Sequence, residues 1–245
     1  MAGYLSPAQV RSYLEYGYLS PLRVMSAQEA DGFLRALRES EANMGSPRTR
    51  YDQQSYMLYP WVQSLVRHSG ILDCVESILG ADIVCYGGQA FVKDPGDAHF
   101  VSWHQDGTYW GALAHDVVTA WVALTPSLPE NGGLRVVPGS QHHRVRHTET
   151  YRPDNLLSRG QQIDAEVDAG QAVDIRLLPG EMSLHHSLTI HGSAANGTAF
   201  ARIGFAIRYA PVSVWARQSD KGAALIVRGC YDGAGALGQA SSSTA

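Results

Sequence analysis

His104 and Asp106 stand two positions apart in Trp103-His104-Gln105-Asp106. On a strand, residues i and i+2 face the same side. An imidazole and a carboxylate placed that way can chelate one metal ion. A surface histidine beside an aspartate has the same spacing, so the pair alone leaves both readings open. A third donor is available in Leu184-His185-His186-Ser187-Leu188-Thr189-Ile190-His191-Gly192-Ser193. Two histidines and one carboxylate cover one face of an octahedral ion and leave three positions open. That donor set suits Fe(II) that must bind O2 and a second ligand.

The chain then reaches Asn196-Gly197, a strong hairpin signal. With these two as the central pair of the turn, His191 lies opposite Arg202 and Ser193 opposite Phe200. Directly opposed residues have Cβ atoms about 4.5–5.5 Å apart. This register predicts His191, Ser193 and Arg202 on one face of one hairpin. A guanidinium is a fork that holds a planar carboxylate through two parallel hydrogen bonds. Iron and a fork together suit a dicarboxylic keto acid, with the keto-acid end on the metal and the far carboxylate on Arg202. 2-Oxoglutarate has that shape.

Three blocks, WHQDGTYW, ENGGLRVVPGS and GEMSLHHSLTIHGSAANGTAFARIGFAIRY, resemble the signatures of the phytanoyl-CoA dioxygenase family. The similarity runs from about Val84 to Pro211, and the helices before it are compatible. The resemblance implies an Fe(II)- and 2-oxoglutarate-dependent oxygenase on a double-stranded β-helix, a form of jelly roll. It implies iron on His104, Asp106 and His191. It also implies 2-oxoglutarate on Arg202, assisted by Ser193, with contacts from Gln105 and Trp121. Asn131, Gly132 and Pro138-Gly139-Ser140 look like the family's structural turns. Ser140-Gln141-His142 departs from the Ser-His often found there, which bears on the local geometry of the following loop.

The implied reaction consumes 2-oxoglutarate and O2 and releases succinate and CO2. Its expected outcome is hydroxylation of an unactivated C–H bond in a small metabolite or biosynthetic intermediate. Related halogenases have a small residue at the carboxylate position, so Asp106 favours hydroxylation over halogenation. Desaturation, epoxidation and rearrangement share the same oxidant. A non-catalytic jelly-roll metal sensor would need the three donors but not Arg202. Tyr109 and Trp110 follow the metal strand and could meet substrate or pack in the core. Lys93 either snorkels at a strand end or contacts substrate or 2-oxoglutarate. His185 shares parity with His191 and could line the site, but reads as a hydrogen-bonded strand histidine; His142, His143 and His147 read as solvated loop residues rather than a second metal site.

Elements must position these groups. Residues 1–80 read as a helical layer. Ser6-Pro7-Ala8-Gln9 and Ser26-Ala27-Gln28-Glu29 are capping boxes, and Gly17 is a left-handed helix stop. The second helix is expected to run to about Glu39, residues 40–56 to form a loop, and two more helices to span roughly 58–69 and 70–79. From Ala81 short strands take over, in pieces at 83–86, 89–92, 99–104, 117–124, 134–138, 171–177, 182–191, 201–209 and 223–229. The fold class is mainly β with N-terminal helices, built on a double-stranded β-helix or jelly-roll, cupin-like core. Residues 1–232 read as a single oxygenase domain, with the jelly-roll core over 81–232. Residues 233–245 read as a disordered tail, and 139–168 as a long polar loop of the kind that forms lids.

Composition narrows the function classes. The chain has 245 residues, 44% hydrophobic and 17% charged, enough apolar content for a sizeable core. A net charge of −4 and a pI near 6.2, without a basic block, argue against nucleic acid as a partner. No apolar run reaches a membrane span, and no secretory signal is visible. The three cysteines form no CxxC pair and no disulfide framework, which points to the cytoplasm. The expected partner is a small-molecule substrate. Oligomeric state has no signature in the sequence.

Overall fold

The structure is a computed structural model that describes residues 4–44, 54–109, 116–157, 161–217 and 223–230. Helix α1 (Pro7–Tyr16) begins at the Ser6 capping box and ends on Gly17 at φ 77°. Strand β1 (Tyr18–Arg23) follows, so the first 80 residues are not uniformly helical. Pro21 lacks an N–H and suits only the edge of a sheet, which is where β1 lies. Helix α2 (Ala27–Met44) starts at the second capping box, with Ser26 N donating to Glu29 Oε2 at 2.8 Å, and runs beyond Glu39. Short helices α3 (Ser55–Leu58), α4 (Pro60–Val66) and α5 (Ser69–Leu79) complete the layer. Part of the expected 40–56 loop and all of the 233–245 tail lie outside the described residues.

Strand β2 (Ile83–Lys93) joins the two pieces expected around Gly87-Gly88. The strands that follow are β3 (Val101–His104), β4 (Val118–Ala123), β5 (Arg135–Val136), β6 (His147–Glu149), β7 (Gln161–Ile163) and β8 (Val173–Asp174). After them come β9 (Glu181–His186), β10 (His191–Ser193), β11 (Arg202–Pro211), helix α6 (Val212–Trp215) and β12 (Leu225–Arg228). One sheet has the order β1-β9-β4-β11-β2-β12 and a second the order β3-β10-β5-β8. From β2 to β11 the chain alternates between these sheets at each core strand, except between β5 and β8, which are neighbours in the second sheet. This winding makes the two sheets a jelly roll. Strands β6 and β7 pair with each other, so the 139–168 segment carries structure of its own.

Side-chain parity on the central strands separates the two faces. Val118, Ala120 and Val122 of β4, with Ile203, Phe205 and Ile207 of β11, join the core shared with Leu37, Leu65, Ile71 and Val75 of the helices. Trp121, Ala123 and Ala206 point the other way and pack with Leu134, Val136 and Leu177 between the sheets.

The segment expected as one strand over 182–191 is two strands in different sheets, joined by a turn. That turn is tied to the end of α1. Gly17 O accepts from Thr189 Oγ1 at 2.7 Å and from His186 N at 2.8 Å. Gln141 Nε2 donates to Leu14 O and Glu15 O. A Cβ at Gly17 would sit 2.6 Å from Gln141 Cδ, so glycine serves both the left-handed cap and this close approach. No helix among the described residues is long and apolar enough to cross a membrane.

Candidate active site

His104 ends β3 and Asp106 begins a 3-10 turn over Asp106–Tyr109, so the pair does not share one strand face as the spacing suggested. The turn nevertheless folds the carboxylate back, and His104 Nε2 lies 3.4 Å from Asp106 Oδ1. His191 opens β10 and pairs directly with His104 across the sheet. One ligand atom from each of His104, Asp106 and His191 falls within 4.8 Å of the others. Backbone carbonyls set the tautomers. His104 Nδ1 is 2.9 Å from Ser102 O, and His191 Nδ1 is 2.9 Å from Thr189 O. A carbonyl only accepts, so each Nδ1 donates and each Nε2 keeps its lone pair for a metal.

Burial opposes charge on Asp106, but Arg208, then His104 and His191, hold its carboxyl well below the usual range. The Oδ2 atom accepts from Thr119 Oγ1 at 3.2 Å and faces Arg208 Nε at 3.9 Å. Oδ1 is thereby left as the donor atom. Burial, then His104 and His185, keep His191 well below an ordinary imidazole, and hence neutral. Two imidazoles held by backbone carbonyls at Nδ1, with an ionised carboxylate, make a donor set that fits iron(II).

Arg202 lies in the same cavity, but not by the expected hairpin. Its cross-strand partner is Lys93 of β2, whereas His191 pairs with His104 and Val136 in the other sheet. Asn196, 1% exposed, is a plug rather than a tight-turn residue. Its Nδ2 donates to Lys93 O, Asp94 O and Phe200 O, which holds the chain open as it crosses between sheets. His191, Ser193 and Arg202 therefore converge from opposite walls. Arg202 is buried, its Nε has no hydrogen-bond partner, and burial brings its pKa to about 10. Its guanidinium carbon is 5.4 Å from the Trp121 ring centroid.

Lys93 does not snorkel. It is fully buried, with Nζ donating to Ser193 Oγ at 2.7 Å and to Ala194 O. Burial, then Arg202, lower its pKa to about 6.

Gln105 is fully buried, with both ends of its amide in use. Its Nε2 donates to His143 O and Leu188 O, and its Oε1 accepts from Val145 N. His147 is not a free loop residue either, since its Nε2 accepts from Gln105 N at 2.8 Å. These bonds fasten the 143–147 segment to the loop that carries Asp106. Tyr109 closes the 3-10 turn; Trp110 lies outside the described residues. Sequence reasoning missed Thr119 and Arg208, and it gave His185 a hydrogen-bonded role. All three line the cavity. For Thr119 and Arg208 the signal is the inward parity of β4 and β11, which is readable only once the strand pairing is known.

Fold and donor set together define a non-haem iron(II), 2-oxoglutarate-dependent dioxygenase. The chain belongs to the phytanoyl-CoA dioxygenase (PhyH) family, whose model matches residues 13–204. It is 26% identical over 230 residues to a probable alpha-ketoglutarate-dependent hypophosphite dioxygenase of Stutzerimonas stutzeri, covering 84% of this chain and 79% of that one. It is 25% identical over 226 residues to an ectoine dioxygenase of Streptomyces avermitilis, covering 82% and 77%. Among solved structures, the apo form of the non-heme monooxygenase ThoJ superposes with a TM-score of 0.78 at 29% identity, covering 92% of this chain and 85% of that one.

Proposed function

We propose that this dioxygenase hydroxylates an unactivated C–H bond of a small metabolite or biosynthetic intermediate, with release of succinate and CO2. The observation that carries this reading is one cavity lined by both the His104–Asp106–His191 donors and the buried Arg202. A metal sensor would have no use for that arginine. His104, Asp106 and His191 would hold iron(II). When bound, iron with 2-oxoglutarate and O2 supplies the oxidising power for C–H cleavage.

The chain's own residues bind and orient. Arg202 offers its fork to the far carboxylate of 2-oxoglutarate, with Ser193 beside it and Lys93 holding Ser193 in place. Trp121 walls that end of the cavity, and Leu134 and Phe91 help to exclude water. Gln105 keeps the Asp106 loop in register rather than touching the co-substrate. Tyr109 and Trp110, three and four residues after Asp106, are proposed to meet substrate. Retention of Asp106 as an anionic donor favours hydroxylation over halogenation. Desaturation, epoxidation and rearrangement would use the same residues, and product analysis separates them.

The named actions of the two curated relatives, on hypophosphite and ectoine, support a small-molecule substrate. The shared core of helices and six-stranded sheet supports residues 1–232 acting as one domain. Free Cys74, Cys85 and Cys230 are consistent with a reducing cytoplasm.

The test is succinate formation by the Fe(II)-loaded protein across a panel of small metabolites, with ectoine and hypophosphite included. The expected result is a compound that stimulates succinate release and gains one oxygen atom from labelled O2. Failure of the Fe(II)-loaded protein to consume 2-oxoglutarate with any panel member would overturn the reading.

A further inference from the structure

His185 is a cavity residue to which the reaction above gives no role. On β9 it pairs with Thr119 of β4, and Thr119 pairs with Arg208 of β11. Arg208, Thr119 and His185 thus form one row across three adjacent strands, all lining the cavity. Thr119 and Arg208 face Asp106 Oδ2. His185 is 2% exposed, its ring centroid is 4.6 Å from that of His191, and neither ring nitrogen has a hydrogen-bond partner. It is not a fourth metal donor, because the cluster of donor atoms among the described residues comprises His104, Asp106 and His191. The adjacent His186 is already engaged, its Nδ1 accepting from Leu188 N at 3.0 Å.

Buried polar groups in native proteins are almost always satisfied, so an unsatisfied one that faces a cavity points to a bound molecule. Arg202 Nε is a second such atom in this cavity. Arg202 stands six residues along β11 from Arg208, toward the other end of that strand. The two unsatisfied groups therefore belong to different ends of the site. A keto acid whose far carboxylate meets Arg202 must bring its other end to the donor cluster, where His185 is packed against His191. A neutral imidazole always carries one N–H, so this donor needs no added proton.

We propose that His185 donates a hydrogen bond to the iron-proximal carboxylate of 2-oxoglutarate and is the protein's binding residue for the keto-acid end. The proposal rests on the functional reading above. An acceptor oxygen at this place could also come from the primary substrate, and the choice of probes separates the two.

Anaerobic Fe(II)-loaded protein is titrated with three probes. 2-Oxoglutarate has both ends. 2-Oxovalerate keeps the keto acid but carries a methyl in place of the far carboxylate. Succinate keeps the far carboxylate and lacks the keto acid. Binding of the keto acids is read from the visible charge-transfer absorption of the iron complex, and that of succinate by calorimetry. His185→Phe removes the donor and His185→Gln restores one. Fe(II) affinity without co-substrate and melting temperature serve as controls.

His185→Phe is expected to weaken 2-oxoglutarate and 2-oxovalerate by about tenfold or more, the worth of a hydrogen bond to a charged acceptor. Succinate should stay within about twofold, and His185→Gln should recover most of the loss. If the phenylalanine variant does not fold or loses iron, His185→Leu against His185→Asn makes the same comparison. Unchanged 2-oxoglutarate binding in the donor-less variant would overturn the proposal, and a simultaneous loss of substrate-driven turnover would assign His185 to the primary substrate instead. Equal weakening of all three probes, unrelieved by the amide, would also overturn it. Failure of the unmodified Fe(II) protein to bind 2-oxoglutarate would defeat the functional reading itself.

Discussion

Gly204→Ala should damage co-substrate binding without touching a donor residue. Gly204 pairs with Phe91 of β2 and Ala123 of β4 at the centre of the six-stranded sheet. The indole of Trp121 lies directly over it. A Cβ built at Gly204 overlaps Trp121 Cη2 and Cζ2 and stands 2.7 Å from Cε2. The ring has little freedom to yield, since its apolar neighbours Leu134, Val136 and Leu177 are buried. Overpacking of this kind costs about 1–3 kcal/mol. At about 2–4 °C per kcal/mol for a chain of this size, melting temperature should fall by about 2–12 °C.

The displaced indole also loses its place beside Arg202, 5.4 Å away. A desolvated cation–π contact is worth about 0.5–2 kcal/mol, so KM for 2-oxoglutarate should rise about 2- to 30-fold. Iron affinity should hold, because the donors stand at the other end of the cavity. Thermal unfolding and succinate release at varied 2-oxoglutarate provide the readings. Trp121→Phe combined with Gly204→Ala should recover stability, since the smaller ring leaves room for the methyl. A single variant with unchanged KM and melting temperature would refute the claim that Gly204 exists to seat the indole.

His104→Ala and His191→Ala should each bind little Fe(II), measured by metal content after desalting, because each leaves two facial donors. Near-normal iron content in either would reject the ligand set. Arg202→Ala should raise KM for 2-oxoglutarate far more than it lowers kcat, and an unaltered KM would remove the fork from the mechanism. Lys93 titrates near 6 in the folded chain against an ordinary 10.5. The unfolded chain therefore holds the extra proton between these values, and stability should rise with pH across that window by up to about 1.4 kcal/mol per unit. Lys93→Met should flatten this rise in denaturant titrations, and an unchanged slope would show that burial does not control the amine. Asp106→Gly should hydroxylate poorly and give little or no chlorinated product with added chloride by mass spectrometry; efficient chlorination would separate the carboxylate from the choice of outcome.

Local chemistry was legible in the sequence; the crossings between sheets were not. The capping boxes at Ser6 and Ser26 form as read because all their partners lie within four residues. His104 and Asp106 meet as expected, although through a turn after the strand rather than along it. The Asn196-Gly197 register failed because the Asn196 amide found better partners in the β2 end than in a tight hairpin. Strand β1 was lost behind the helical signals around it, since a proline-bearing edge strand has almost no pattern of its own. Thr119 and Arg208 became visible only through pairing, because a polar residue on a central strand reads the same whether it faces helices or a cavity.

The joint at Gly17 sets a timetable for assembly. Its carbonyl waits for the Thr189 hydroxyl, 172 positions later in the chain. The crossover that aims His191 is therefore braced only when nearly the whole core has been synthesised, and long-range closures of this kind are slow to form. A nascent chain can display His104 and Asp106 long before His191 joins them, and two donors hold iron weakly. The third donor and the brace that aims it thus arrive together in the chain, after β9 and ahead of the β11 wall that carries Arg202 and Arg208.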